Sequence, residues 1–481
     1  MISRLRAIQF AMSFVVVVAL IPTPPSVAQQ GGVGGGGFGG GGGGQGGQGG
    51  GQGGGIQAAG GITIDGDGVL SAPKSKVISP DVARKRMQAM AKEYLSEDVA
   101  RSSNLRKVSL VRLERAIADV MEKKESPSAE MQYLAGLQRI DFVFVFPETN
   151  DLVIAGPAGP FAPDPTGRII SLSSGRAVLR LDDLMIALRT AAKTSQWGCS
   201  IDVVAERLAE MQKFLKQNSG AGTANAAQQK FQQMQKILGN HDVTVTGIPN
   251  DTHFAQVLVE ADYHMKLIAI GLEDPHVPGL KSHFALIQPG GNTLERWWFT
   301  PLYDAFQTSG DGLAFEFTGQ RCQLLTQGEQ ADAAGRRSDA AFTRQSTQVF
   351  AKQFTEKFPE LAKQMPVFSE LQNLFDLAVL TALIKREGLA QKANWEPNLF
   401  LDDQRAPVLR GPVPKHTKTV LNMKMSNRGV AIALLSGGVV IDSQQILQKS
   451  AASIQTSAEV GSRRVKESPP MNLEDKRWWW D

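Results

Sequence analysis

The stretch Arg139–Phe161, R-I-D-F-V-F-V-F-P-E-T-N-D-L-V-I-A-G-P-A-G-P-F, constrains the fold more than any other part of the chain. Two arms rich in β-branched and aromatic residues flank Glu148-Thr149-Asn150-Asp151, which turns a chain readily, so the stretch reads as a β-hairpin. Both arms are apolar at nearly every position, whereas a half-exposed strand alternates. Such strands are covered on both faces and lie in the middle of a sheet with helices packed over it. Pro147 sits at the exit of the first arm, where a missing N–H costs little.

The N-terminus reads as a secretory signal over residues 1–28. Arg4 and Arg6 form its basic region, Ala7 to Leu20 its apolar core, and Ser26-Val27-Ala28 a small-residue cleavage site. The apolar run is shorter than the ~20 residues a spanning helix needs. Later in the chain, Leu374 to Ile384 is the most apolar run, and it is short and contains Asp376. The expected address is therefore export, to the periplasm, cell envelope or medium, without a transmembrane span in the mature chain. A formal charge of +4 includes the two signal arginines, and acids and bases alternate elsewhere. That balance argues against nucleic acid as a partner.

Residues 29–60 form a glycine-rich tether, broken between 31 and 55 only by Val33, Phe38, Gln45, Gln48 and Gln52, with too little apolar surface to order itself. Asp65-Gly66-Asp67-Gly68 has calcium-loop character, but the bidentate glutamate such a loop needs at its twelfth position is Lys76, so the segment reads as a turn. Residues 61–218 form an α/β module around the hairpin at 140–156. Residues 219–291 hold a linker, a Gln-rich helix and a strand–helix unit. Residues 292–449 hold a β-meander, long helices and closing strands. Residues 450–481 read as a disordered tail that ends in Trp478-Trp479-Trp480-Asp481.

A strand, an aspartate at the turn and a helix recur three times after the hairpin, at Asp182, Asp202 and Asp251. Each aspartate is placed to accept from free N–H groups at a helix start, so capping is the expected role, with acid–base chemistry as the alternative. The fold class that follows is α+β: a mixed sheet with an antiparallel hairpin and strand–Asp–helix units, plus a C-terminal helical and β-meander region.

Several ordered motifs together carry a family resemblance: Q-R-I-D-F-V-F-V-F-P-E-T-N-D-L-V-I-A-G-P-A-G-P-F, L-R-L-D-D-L-M-I-A-L-R, G-C-S-I-D, A-E-M-Q-K-F-L, V-L-V-E-A-D-Y-H-M-K-L-I-A-I-G-L-E and R-W-W-F-T-P. Over residues 60 to 445 the chain resembles a set of secreted planctomycete proteins known only as a domain of unknown function, the 1598 type. The resemblance implies export and supplies no catalytic residue to carry over.

Five of the six histidines, His241, His253, His264, His276 and His283, lie within one stretch of the chain. On the helix that follows Asp251, His253, Glu260 and His264 fall on one side. The two imidazoles are about 16 Å apart along the axis, too far to share one ion, which leaves Glu260 and His264 as the weak metal candidates. No G-x-S-x-G, H-E-x-x-H, C-x-x-C, phosphate loop or dinucleotide fingerprint occurs, so no catalytic residue and no cofactor is indicated.

Cys199 and Cys322 are the two cysteines. They are either a bridge, worth roughly 4–5 kcal/mol by loop closure, or two separately buried thiols. Trp297 and Trp298 alternate across a strand, and Trp478, Trp479 and Trp480 crowd a polar tail; these five are the binding candidates, the tail docking either on its own chain or on a partner. The functional reading is an exported, non-enzymatic envelope protein that binds or scaffolds an unidentified envelope protein or polymer. The alternatives are a periplasmic hydrolase-like enzyme using Asp182, Asp202, Asp251 or the His-rich region, and a carbohydrate-binding module.

Overall fold

The computed structural model describes residues 56–58, 62–71, 79–219, 224–287, 294–332, 334–419, 421–426, 429–434, 436–442, 445–448, 454–474 and 476–481. The expected signal segment lies outside the described residues, as does the glycine tract. Of the expected tether only 56–58 is described, and it pairs as a strand with Ile62–Ile64.

The fold is α+β. The hairpin forms as the sequence requires: Phe142–Phe146 pairs antiparallel with Asp151–Ala158, and Phe146 sits opposite Asp151. It occupies the middle of a seven-stranded sheet, ordered Gln455–Thr456, Gln307–Thr308, Ala314–Glu316, Phe142–Phe146, Asp151–Ala158, Ser103–Ser109, Trp479–Trp480. Its period-2 faces are both buried, which is why the arms do not alternate. Val143, Val145, Leu152 and Ile154 enter the main core, while Phe142, Phe144, Phe146 and Val153 form a second cluster with Val460 and Trp480.

A ten-stranded sheet runs Ile56–Ala58, Ile62–Ile64, Val69–Ser71, His416–Thr417, His241–Thr246, Gln196–Asp202, Ser436–Asp442, Leu294–Leu302, Arg321–Ala331, Arg337–Asp339. Gln196–Asp202 and His241–Thr246 are therefore in this sheet and not beside the hairpin. They pair antiparallel because two successive helices, Ala205–Gln217 and Ala224–Leu238, connect them and return the chain to the end it left. The expected first strand–Asp–helix unit lacks its strand: of that stretch only Ala177 makes a bridge, to Ile170. The expected meander is also divided. Leu294–Leu302 and Arg321–Ala331 pair in the larger sheet, while Ala314–Glu316 crosses to Phe142–Phe146 in the smaller one.

Pro366–Glu387 is the central helix, stopped by Gly388 in the left-handed conformation at φ 63°. By length and composition it matches a membrane span, but 94% of its apolar window is buried inside the protein. It packs on the helices Leu181–Lys193 and His253–Ala269 and on the strand Arg321–Ala331.

The tail is the largest departure from expectation. Residues 454–474 and 476–481 form a strap that supplies both edge strands of the seven-stranded sheet. Between those edges the helix Ala458–Lys466 lays Val460 on the phenylalanine face, with Arg463 over Phe142 and Arg464 over Phe146. Trp479 pairs with Val108 and Trp480 with Lys107. Arg106, fully buried, donates Nε and Nη2 to the Asp481 carboxylate at 2.9 Å each and lies 4.5 Å over the Trp479 ring. Burial pushes the Asp481 side chain up, and Arg106 outweighs it and holds it below the usual range. The apolar contacts that order the tail are aromatic rings supplied by distant strands, so its local polarity reads as disorder.

Trp480→Ala is expected to lower global stability by about 3–5 kcal/mol, because it empties a buried site under the hairpin. Urea denaturation followed by near-UV dichroism measures this; an unchanged midpoint would mean that the strap lies outside the cooperative fold.

Candidate functional site

The helix His253–Ala269 brings together the densest set of titratable side chains. It starts where Thr252 accepts from the Ala255 N–H, so Thr252, and not Asp251, is its cap. The helix is buried along almost its whole length because it lies between the larger sheet and the central helix. Its polar residues therefore have to be satisfied by protein groups, and they fall on two sides.

The first side carries His253, Glu260 and His264, the row legible in the sequence. His253 Nδ1 lies 2.9 Å from Asp183 Oδ2, and its Nε2 lies 3.5 Å from Glu370 Oε1. Arg168 bridges Glu370 and Glu260, the latter at 2.7 Å. His264 completes the row, with Nε2 3.6 Å from Glu260 and Nδ1 2.6 Å from Glu273. The result is one continuous chain of titratable side chains, Asp183–His253–Glu370–Arg168–Glu260–His264–Glu273. Burial lowers the His253 pKa, aided by Arg180 and only partly opposed by Asp183. Burial would lower His264 too, but its hydrogen bonds to Glu260 and Glu273 raise it to about 9. Glu260, pushed up by burial, is held below its ordinary value by Arg168 and His264.

The second side faces the sheet. Lys266 Nζ donates to Asp262 Oδ2 at 2.7 Å, with side-chain exposures of 1% and 0%. Burial raises Asp262 to about 6 despite the lysine.

The sequence-derived candidates distribute as follows. Asp182 lies in the first turn of Leu181–Lys193, accepts weakly from Leu409 N–H at 3.4 Å and caps nothing; burial and the adjacent Asp183 raise its pKa. Asp202 ends a strand two residues before Val204, the capping position of the next helix. Asp251 pairs with Arg410 at 2.9 Å. The three aspartates thus sit at the starts of different units, and the aspartate that meets His253 is Asp183. Glu260 and His264 are within reach of each other, but Arg168 and Glu273 are their partners. Among the described residues no group of three or more His, Cys, Asp and Glu is arranged to hold a metal ion.

Cys199 and Cys322 are free and buried. They stand on strands three places apart in the larger sheet, about 14 Å at ordinary strand spacing, far beyond disulfide reach. Burial raises both thiols well above their usual pKa. Trp297 is fully buried against His283, 4.8 Å between centroids, and Phe350. Burial lowers His283 to about 3. Trp298 is half-buried under Arg296 at 4.8 Å. Trp478, Trp479 and Trp480 are buried on their own chain, so of the five tryptophan candidates only Trp298 retains an open face.

Sequence reasoning missed Arg168, Asp183, Glu273 and Glu370. The one local signal was Glu370 and Asp376, the two charges in the stretch Val367–Ile384 of a long, largely apolar helix, since a charge buried there needs a partner.

A cleft of about 380 Å³ lies beside this assembly, lined by Ile186, Arg189, Lys193, Ile248, Leu401 and Arg410 among others. Leu401 and Leu409, on the loop that borders it, are exposed at 42% and 72%. Arg189 holds that loop through Phe400 O, Asp402 O, Ala406 O and the Asp403 carboxylate.

Residues 199–283 match a family model described as "Protein of unknown function (DUF1598)", and the match supports assignment of the chain to that family. The matched span contains the strands Gln196–Asp202 (from Cys199) and His241–Thr246, the helix pair between them and the whole of His253–Ala269. No curated protein and no solved structure matches the chain.

The raised His264 pKa makes stability depend on pH. Protonated His264 is bound more tightly folded than unfolded, so its contribution is fully present below about pH 6.5 and is lost as pH rises through about 9. The loss is expected to be on the order of 2–3 kcal/mol. Urea midpoints at pH 6 and pH 9.5 should fall for the wild type and much less for His264→Gln; equal falls would remove His264 as the cause.

Proposed function

We propose that this DUF1598-family protein is exported and acts by binding in the cell envelope, with a rigid body carried on the glycine-rich N-terminal segment. The observation that carries this reading is the state of its titratable groups. Asp183, Glu370, Arg168 and Glu260 are buried, the His253 and His264 side chains are 11% and 13% exposed, and the six pair with one another, as structural charge networks do. A general acid or base needs a face toward substrate, and these side chains give theirs to protein partners. Binding is ascribed to the cleft beside Leu401 and Leu409, whose lining sets Ile186, Ile248 and Leu401 beside three cations, Arg189, Lys193 and Arg410, against one acid, Asp403, and suits an apolar group carried on an anionic envelope protein or polymer. The aromatic tail takes no part in this reading, because Trp478, Trp479 and Trp480 are buried on their own chain.

The test is retention of envelope components on immobilised protein. Leu401→Asp with Leu409→Asp is expected to abolish retention while leaving the urea midpoint within about 1 kcal/mol of wild type, since both side chains are exposed. Retention that survives the double substitution would overturn the assignment of the cleft. Export is tested separately by cell fractionation with residues 1–28 present or deleted.

A further inference from the structure

The second charged side of the His253–Ala269 helix does not behave like the first. Asp262 and Lys266 are one turn apart, fully buried, and aimed at the larger sheet, where α-helix and strands meet with no room for solvent. Their single contact joins Nζ to Oδ2 at 2.7 Å, and Asp262 Oδ1 has no hydrogen-bond partner. Around the carboxylate stand Gly437, at which an added Cβ would lie 3.2 Å from Oδ1, and the buried Cys199 and Trp297. Glu260 and His264, the first of them met by Arg168, project from the opposite side of the helix, about 200° round for residues two apart from Asp262. The pair is therefore supported by one hydrogen bond, whereas on the first side Arg168, Glu260 and His264 each face two partners.

An ion pair held so sparsely in a low-dielectric core scarcely offsets its own desolvation. Passing the proton from ammonium to carboxylate removes both charges and leaves a free amine touching a neutral carboxylic acid. A desolvated amine is a nucleophile, and the acid carbon is held within the same turn with water excluded. The i,i+4 spacing brings side chains from successive turns together, and one methylene on Asp262 with four on Lys266 spans that rise.

We propose that Asp262 and Lys266 condense into an intramolecular amide, a covalent modification site in the core of the family-matched segment. The Nζ lone pair adds to Asp262 Cγ and forms the C–N bond. The Cγ–Oδ2 bond breaks, and Oδ2 leaves as water with the carboxyl proton and one proton from nitrogen. Oδ1 becomes the amide oxygen. One water is lost and no oxidant, reductant or further reactant is consumed. The product buries a neutral amide in place of two ions and staples one helical turn.

The wild-type full chain decides the matter by mass spectrometry of a denatured tryptic digest. Trypsin should fail to cut after Lys266, giving a peptide over residues 237–281 about 18 Da, one water, below its sequence mass. Fragmentation should place the loss between residues 262 and 266. Cleavage after Lys266 with both products at full mass would overturn the proposal. A succinimide at Asp262 loses the same mass but leaves Lys266 cleavable and opens in hydroxylamine; that outcome would also overturn it. Asp262→Asn and Lys266→Met separate the requirements. The first should lose ammonia in place of water, and the second should show no loss.

Discussion

Burying the helix Pro366–Glu387 is the constraint on which the rest of the structure depends. Its eighteen residues from Val367 to Ile384 are all buried, and they include Ser369, Glu370, Gln372, Asn373, Asp376 and Thr381. A polar group there is tolerated only with a partner, and each partner is a distant segment. Ser369 accepts from Ala177 N–H, Glu370 meets Arg168 and His253, and Gln372 takes Arg176. Asp376 accepts from Ile140 N–H, the Tyr303 hydroxyl and Arg321 Nη1 at 2.6 to 2.9 Å. Burial still raises its pKa despite those three donors. Arg321 opens a strand of the larger sheet, while Ile140 leads into the hairpin of the smaller one, so this one carboxylate joins both sheets.

The helix His253–Ala269 repeats the same logic with different consequences on its two sides. Toward the central helix, the charges are linked one to the next, and the histidines are driven in opposite directions: burial lowers His253, while Glu260 and Glu273 raise His264. Toward the sheet, one lysine and one aspartate share a single contact. Well-satisfied charges give a rigid, unreactive body; a sparsely satisfied pair is where chemistry is favoured. A binding role at the surface and a covalent bond in the core are compatible outcomes of that division.

What could be read in advance followed from local pattern. The apolar arms at Phe142–Phe146 and Leu152–Ala155, the turn between them and the stop at Gly388 depend on residues close in sequence. The His253/Glu260/His264 row was visible because helical periodicity alone puts those side chains on one side. Capping was misread at Asp182, Asp202 and Asp251, since which residue caps depends on where the backbone leaves the extended conformation. The helix starts shift that role to Thr252 in one case and leave it unfilled at Arg180 and Val204. The tail was misread because Trp478–Trp480 and Val460 find their apolar partners more than 300 residues earlier, in the hairpin and in Ser103–Ser109.

By itself, then, the sequence determined the α+β class, the doubly covered hairpin, and a charged row on one helix. It also held the expectation of export in the first 28 residues. Only the tertiary structure decided that the row is closed by Arg168, Glu370 and Asp183, and that Cys199 and Cys322 stand apart. It likewise decided that the C-terminal strap is part of the body and that Asp262 and Lys266 are sealed against the sheet. The physical reason is the range of the forces involved. Periodicity and turn chemistry act over a few residues, whereas a buried charge is satisfied by whichever group the folded chain brings within about 3 Å, however remote in sequence.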